Sequence, residues 1–432
     1  MLSELNRSVP PEVTDFGILS LPPIRKLRLD NGLEVNIVDQ EDSVGVSRLT
    51  CVFRGGIAEC GSISVAKMLP NLMLEGTFGH PDGGMSELIE FNGARIAFSV
   101  EPHYTSMTLF SLNSKIKDVL PLFPEVLFEP QLSERAFEVI RDRYLQNIEL
   151  MRKKVEYQAS MLFNTLSMGK SHPLARTEIP EDIIKIKVSG LLEWHKALCR
   201  CTMGGMTLYL SGRISSDIEN AVNESFGRLK VEDDGMAICS RIVPFEASTG
   251  TYQRMVVDGA VQSAVRIGMP VIGREHPDYI TMRYLIIALG GYFGSRLMAN
   301  VREDKGYTYG INSFLLGQPE GGLMEVVAST DKMHEEPLIE EVVAEIKRLG
   351  SGDFTSGEID RLRKNVMSGL ASTLDNAFEI MDYYQTLQTA FIPDGYFERQ
   401  IDVLNRLTAG ELQRMANEYL SLDKLIVTVA GQ

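Results

Sequence analysis

The strongest constraint on this chain is that it repeats itself once, at long range. Ser189-Gly190-Leu191-Leu192 is echoed 220 positions later by Ala409-Gly410-Glu411-Leu412, and Leu208-Tyr209-Leu210-Ser211-Gly212 is echoed 219 positions later by Val427-Thr428-Val429-Ala430-Gly431. Either match alone would be chance. The order of expected elements repeats as well, and that agreement makes duplication the better account. The period is far too long for a solenoid and implies two homologous domains. The division falls at residues 1–225, a linker over 226–250, and residues 251–432, with Glu232-Asp233-Asp234-Gly235 inside the linker.

Each half reads the same way. In the first, Lys26–Leu29 and Leu33–Ile37 alternate around Asp30-Asn31-Gly32, the strongest short-range hairpin signal. A strand at Ser47–Phe53, a helix at Ser64–Glu75, and strands at Ile96–Val100 and Thr105–Leu112 follow. Helical patterns then run over Ile116–Phe128, Glu134–Thr165 and Gly190–Leu198, before a closing strand at Thr207–Leu210. The second half offers strands at Met255–Val257 and Ala264–Met269, helices at Asp278–Leu289 and Ser295–Arg302, and strands at Thr308–Leu315 and Leu323–Ala328. It closes with helices over Leu338–Leu349, Ser356–Thr389 and Ala409–Tyr419 and a strand at Leu425–Ala430. Hairpins and long helix pairs, without strict β-α-β alternation, predict an α+β fold: two tandem domains, each a mostly antiparallel sheet with helices on one face.

Charge and composition exclude several roles. Lys plus Arg total 43 against 58 Asp plus Glu, a net charge of −15 with no basic stripe, so nucleic acid is not an expected partner. No apolar stretch approaches the ~20 residues that span a bilayer, and the N-terminal segment lacks an apolar signal core. Five cysteines, Cys51, Cys60, Cys199, Cys201 and Cys239, match no zinc ribbon and suit reduced thiols in a cytoplasmic protein. His195 and Cys199 stand four apart with Cys201 nearby, but packing at a helix end explains these residues better than a metal site. Gly290-Gly291-Tyr292-Phe293-Gly294 follows an apolar helix rather than a strand, so it reads as a turn and close-packing segment and not a phosphate loop. G-x-S-x-G, G-x-x-x-x-G-K-[ST] and H-E-x-x-H are all absent.

Two segments are more informative: Ser64 to Thr77, ending Glu75-Gly76-Thr77, and Ser295 to Tyr309, containing Val301-Arg302-Glu303 and Gly306-Tyr307-Thr308-Tyr309. With the tandem duplication and Ser171-His172-Pro173-Leu174, they make the chain resemble the pitrilysin/insulinase family of zinc metallopeptidases, in its short-chain, processing-peptidase-like branch. The resemblance spans about Ile24 to Gly431. In that family the first segment carries H-x-x-E-H, in which two His on one helix face bind Zn²⁺ and the Glu serves as general base. Aligned on Glu75-Gly76-Thr77, the first His falls on Lys67, the Glu on Pro70 and the second His on Asn71; a later Glu ligand falls on Arg143, or at best beside Asp142. Lys67 and Arg143 are cations that repel Zn²⁺, Asn71 is a weak ligand, and Pro70 accepts no proton and kinks a helix. The resemblance therefore implies a member that binds no zinc of its own. His80 and His103 offer no spacing that rebuilds the site.

The second segment keeps the family pattern. The resemblance implies that Arg302 and Tyr309, seven apart, hold peptide substrate: Arg by a charge-assisted hydrogen bond, Tyr by donating to a developing oxyanion. The plain alternative is Arg302 paired to Glu303 or Asp304 and Tyr309 half-buried in a strand. The resemblance also implies peptide binding by strand addition along Arg95–Val100, at Ala97, Phe98 and Ser99; from the residues alone, the alternation of Ile96, Phe98 and Val100 equally suits a buried sheet face. Three readings result. The first is a non-catalytic subunit that binds peptide beside a zinc-bearing partner chain. The second is a structural or peptide-binding scaffold that self-associates as a homodimer with no role in proteolysis. The third is a residual peptidase with a rebuilt metal site. Zinc, in the first, belongs to the partner.

Overall fold

The computed structural model describes residues 17–41, 45–81, 83–200, 205–231 and 242–432. Cys201, Cys239 and most of the acidic linker segment, from Glu232 to Gly235, lie outside the described residues. The first half contributes β1 (Arg25–Arg28), β2 (Glu34–Asp39), β3 (Val46–Arg54), β4 (Arg95–Val100), β5 (Tyr104–Leu112) and β6 (Met206–Gly212). The second contributes β7 (Thr251–Val256), β8 (Ser263–Val271), β9 (Thr308–Gln318), β10 (Gly321–Thr330) and β11 (Ile426–Gly431). The sheets run β1-β2-β6-β3-β5-β4 and β7-β11-β8-β10-β9. Apart from the extra β1, the order is identical, and each sheet holds one parallel pair, β2 with β6 and β7 with β11. The α+β duplication read from the sequence is thus reproduced strand by strand.

The β1–β2 hairpin forms because Asn31-Gly32 can close it. Gly32 adopts φ +90°, open to glycine without strain, and the Asn31 amide donates to Phe226 O and Leu229 O. On the inner face of the first sheet, Leu49, Cys51, Phe53, Leu109 and Leu208 pack against helix α1 (Ile63–Leu74) through Met68, Leu69 and Leu72. On the inner face of the second, Val265, Ile267, Met324 and Val326 pack with Leu285 and Leu289.

The outer faces hold what the sequence did not show. The helical pattern over Glu134–Thr165 is two helices, α2 (Glu134–Met151) and α3 (Val155–Met168). α2 stays with the first half, while α3 crosses to the outer face of the second sheet. There Phe163, Leu166 and Met168 meet Leu323 and Ile426, and Ala159 meets Ala264 and Ala430. Gly268 makes room for it, since a Cβ there would meet Phe163 Cζ at 2.6 Å and Met324 O at 2.2 Å. α4 (Tyr279–Gly290) follows β8. The pattern over Ser356–Thr389 also divides, at Asn376, whose side chain accepts from Phe378 N and Glu379 N and starts α5 (Ala377–Thr389). α5 makes the reciprocal crossing: Ala377, Ile380 and Met381 cover Val38, Val52 and Tyr209 of the first sheet. Buried Arg48 fixes it by donating to Asp382 Oδ2 (2.9 Å) and Phe378 O (2.9 Å).

Candidate functional site

The inner surface of α1 begins with a capped turn: Ser62 accepts from Val65 N, and Pro70 sits buried inside the helix. Lys67 and Asn71 lie one turn apart, and Asn71 Nδ2 donates to Lys67 O at 3.2 Å. The Lys67 ammonium donates to Glu178 Oε2 at 2.9 Å. Glu178 is buried, its side chain 7% exposed, and its other oxygen accepts from Ser64 Oγ (2.9 Å) and from the Tyr144 hydroxyl. Burial, then the Glu178 charge, push the Tyr144 phenol far above its ordinary pKa, so it stays protonated and donates. The position expected to hold a metal is filled by an ammonium, a carboxylate and two hydroxyls.

Arg143, by contrast, is exposed on α2. The inward stripe of that helix is Phe137, Ile140, Tyr144 and Ile148, so Tyr144 is the α2 residue that meets α1 chemistry. His80 Nδ1 lies 3.1 Å from Glu125 Oε1. His103 bridges two carboxylates, with Nδ1 2.8 Å from Glu59 and Nε2 2.6 Å from Glu320. His195 binds Leu127 O through Nε2 at 2.8 Å, and burial pulls its pKa down; Cys199 is buried, and burial pushes its thiol up. Among the described residues no group of three or more His, Cys, Asp or Glu could hold a metal ion.

In the second half, a π-helical segment, Met298–Asp304, leads through Gly306 (φ +66°) into the edge strand β9 and sets Arg302 against Tyr309. Arg302 Nε donates to Tyr309 O at 2.9 Å, and the guanidinium lies 5.0 Å from the Phe293 ring centre. Neither Glu303 nor Asp304 pairs with it among the described residues. Tyr309 is 93% exposed rather than half-buried. The two residues line a pocket of about 380 Å³ with Thr308 and Asp331. The first half's β4 is likewise an edge strand, hydrogen-bonded on one side only, to β5. Ala97, Phe98 and Ser99 are all half-buried there, with Phe98 turned onto the core. Among the described residues no hydrogen bond, ion pair or ring contact joins Arg302 or Tyr309 to β4 or to Lys67.

Residues 191–366 match the family model described as Peptidase M16 inactive domain. The zinc protease PqqE of Helicobacter pylori is 23% identical over 411 residues, covering 92% of this chain and 90% of that protein. Along most of its length the chain resembles M16 peptidase family proteins. A second H. pylori protein, the non-peptidase homolog YmxG, is 22% identical over 72% of each chain. Among solved structures, a protease from H. pylori superposes with a TM-score of 0.85 at 19% identity, covering 96% of this chain and all of that one. A peptidase M16 inactive domain from Pseudomonas fluorescens gives 0.81 at 21%, covering 94% and 98%. A chain of Complex III2 from Candida albicans gives 0.70 at 13%, covering 95% and 96%. The M16 resemblance fits the duplicated topology and the degenerate motif at Lys67, Pro70 and Asn71. Sequence reasoning missed Glu178 and Tyr144. The i, i+3, i+7 spacing of Phe137, Ile140 and Tyr144 marks Tyr144 as inward-facing; nothing in its own neighbourhood marks Glu178.

Proposed function

We propose that this M16-like protein is the non-catalytic subunit of a two-chain zinc peptidase, binding peptide beside a partner chain that holds zinc through an intact H-x-x-E-H. The observation that carries this reading is the state of Arg302. Its guanidinium has no carboxylate partner among the described residues and is held by Tyr309 O and Phe293, beside a highly exposed Tyr309. An unpaired guanidinium and an exposed phenol at the mouth of one pocket supply donors for a peptide carbonyl and for a developing oxyanion. The unpaired edge of β4 at Ala97, Phe98 and Ser99 offers main-chain pairing for the same extended peptide. In this reading the complex is cytoplasmic. The test is to mix the chain with a zinc-bearing relative from the same genome and assay peptide cleavage. Arg302→Ala is expected to lower kcat/KM of the mixture by roughly 10²-fold, the scale of losing one oxyanion-type donor. Equal rates with wild type and variant would sink the role.

A second reading, a homodimeric scaffold with no part in proteolysis, is favoured by the loss of every zinc-motif position and by the fold shared with a chain of Complex III2. Light scattering separates the two. A tight self-dimer that ignores a zinc-bearing relative supports the scaffold.

A further inference from the structure

A second concavity opens at the far end of β9 from Tyr309. β9 runs from Thr308 to Gln318, so its ends stand roughly 30 Å apart at ~3.3 Å per residue. The pocket, about 370 Å³, lies between the start of α4 and the start of α6 (Tyr396–Arg406). That volume is within the ~300–1,000 Å³ typical of ligand sites. Its walls include Tyr279, Ile280, Ile392 and Tyr396, and two guanidinium groups, Arg274 and Arg399, line it. Among the described residues neither arginine side chain has an ion-pair or hydrogen-bond partner, in a chain whose net charge is −15. The carboxylate among the lining residues, Glu275, is exposed. Both helices begin here without a side-chain cap, and Asp278, at the start of α4, is already held by Arg414 and Tyr419. Uncapped helix starts add partial positive charge to that of the arginines.

The rim is strained. Phe391 has φ +54°, a left-handed backbone that bulky residues avoid, and its ring stands 65% exposed with Arg54 of the first half 5.6 Å from its centre. Backbone strain of this kind is kept at ligand clamps. Past Phe391 an adjoining cavity of about 130 Å³ shares Arg274 and Gln318 and continues over the turn at Pro102 and His103. The site is therefore an elongated groove with an apolar, cationic end.

We propose that this groove binds the C-terminal end of a peptide whose last residue is apolar. The α-carboxylate sits between Arg274 and Arg399, the last side chain lies on Tyr279, Ile280 and Tyr396, and the preceding residues run past Phe391 toward the first half. This site does not depend on the Arg302 reading. The test is fluorescence anisotropy of a labelled hexapeptide ending in leucyl-phenylalanine, as free acid and as amide, titrated with the full chain. The free acid is expected to bind at least roughly tenfold tighter than the amide, and Arg274→Gln and Arg399→Gln each to weaken it by roughly tenfold, as expected for a lost charge-assisted bond. Both variants should melt like wild type. Equal binding of acid and amide, no saturable binding of the acid, or equal competition by free N-acetylphenylalanine would each overturn the proposal.

Discussion

Glu178 is a buried carboxylate beside Lys67, which lies on the helix where the resemblance puts a metal motif. A buried carboxylate needs a counter-charge and donors, and here Lys67, Ser64 and Tyr144 provide them. Lys67 is 41% exposed, so its pairing is partly screened by water. Lys67→Met should nonetheless lower stability by about 1–2 kcal/mol, because it leaves Glu178 buried with only hydroxyl donors. Urea unfolding reads this as a lower midpoint at unchanged slope; an unchanged midpoint would show that the hydroxyls suffice. His103 makes the opposite kind of pair. Burial alone would lower its pKa, but hydrogen bonding and charge from Glu320 and Glu59 outweigh that and hold it at about 9, against 6.5 unperturbed. A raised folded-state pKa gives stability that is fully present below about 6.5 and is lost as pH rises through about 9. Wild type should therefore lose about 2 kcal/mol more than His103→Gln between pH 6 and pH 10. Parallel stability curves for the two proteins across that window would exclude a charged His103.

At the scale of elements, the reciprocal helices decide stability. Phe163 is fully buried but belongs to the first half and packs on the second sheet. Phe163→Ala should cost about 3–5 kcal/mol, and hydrogen exchange should speed up in β8 and β11 rather than in β2 or β3. Uniform protection changes across both sheets would contradict the exchange of helices. This crossing was illegible in the sequence for a physical reason. Helical periodicity runs through Arg152, Lys153 and Lys154 with no Gly or Pro to stop it, and only the destination of α3 separates it from α2. The break before α5 leaves a local mark, since Asn376 is a good N-cap, but the helical pattern over Ser356–Thr389 runs across it. The hairpin at Asn31-Gly32 and the β4–β5 pair could be read because turn chemistry and alternation are local. The same contrast holds at the site. Arg302 and Tyr309 are seven residues apart and within one segment, whereas Glu178 reaches Lys67 from 111 residues away, where no spacing rule applies.

For the whole molecule, the exchange makes the two halves one folding unit. Without α5, the first sheet exposes Val38, Val52 and Tyr209; without α3, the second exposes Leu323, Ile426, Ala264 and Ala430. Burying such a face contributes roughly 25 cal/mol per Å² of apolar area, so neither half alone keeps the stability of the pair. The joint is reinforced at the turns, where His103 of the first half meets Glu320 of the second at 2.6 Å, and by Arg48 and Asp382 across the same boundary. Residues 17–231 and 242–432, produced separately, should bind a hydrophobic dye and sediment as aggregates. Refolded together, they should elute as one species and unfold in a single transition. A half that melts cooperatively alone, with native strand protection, would mean the crossing helices are ornaments on independent domains. The expected outcome also bears on peptide binding, because the groove between Arg274 and Phe391 continues onto the first half's turn at His103. A ligand bound there grips both halves, so it should raise the midpoint of that single transition, and the rise should shrink in His103→Gln.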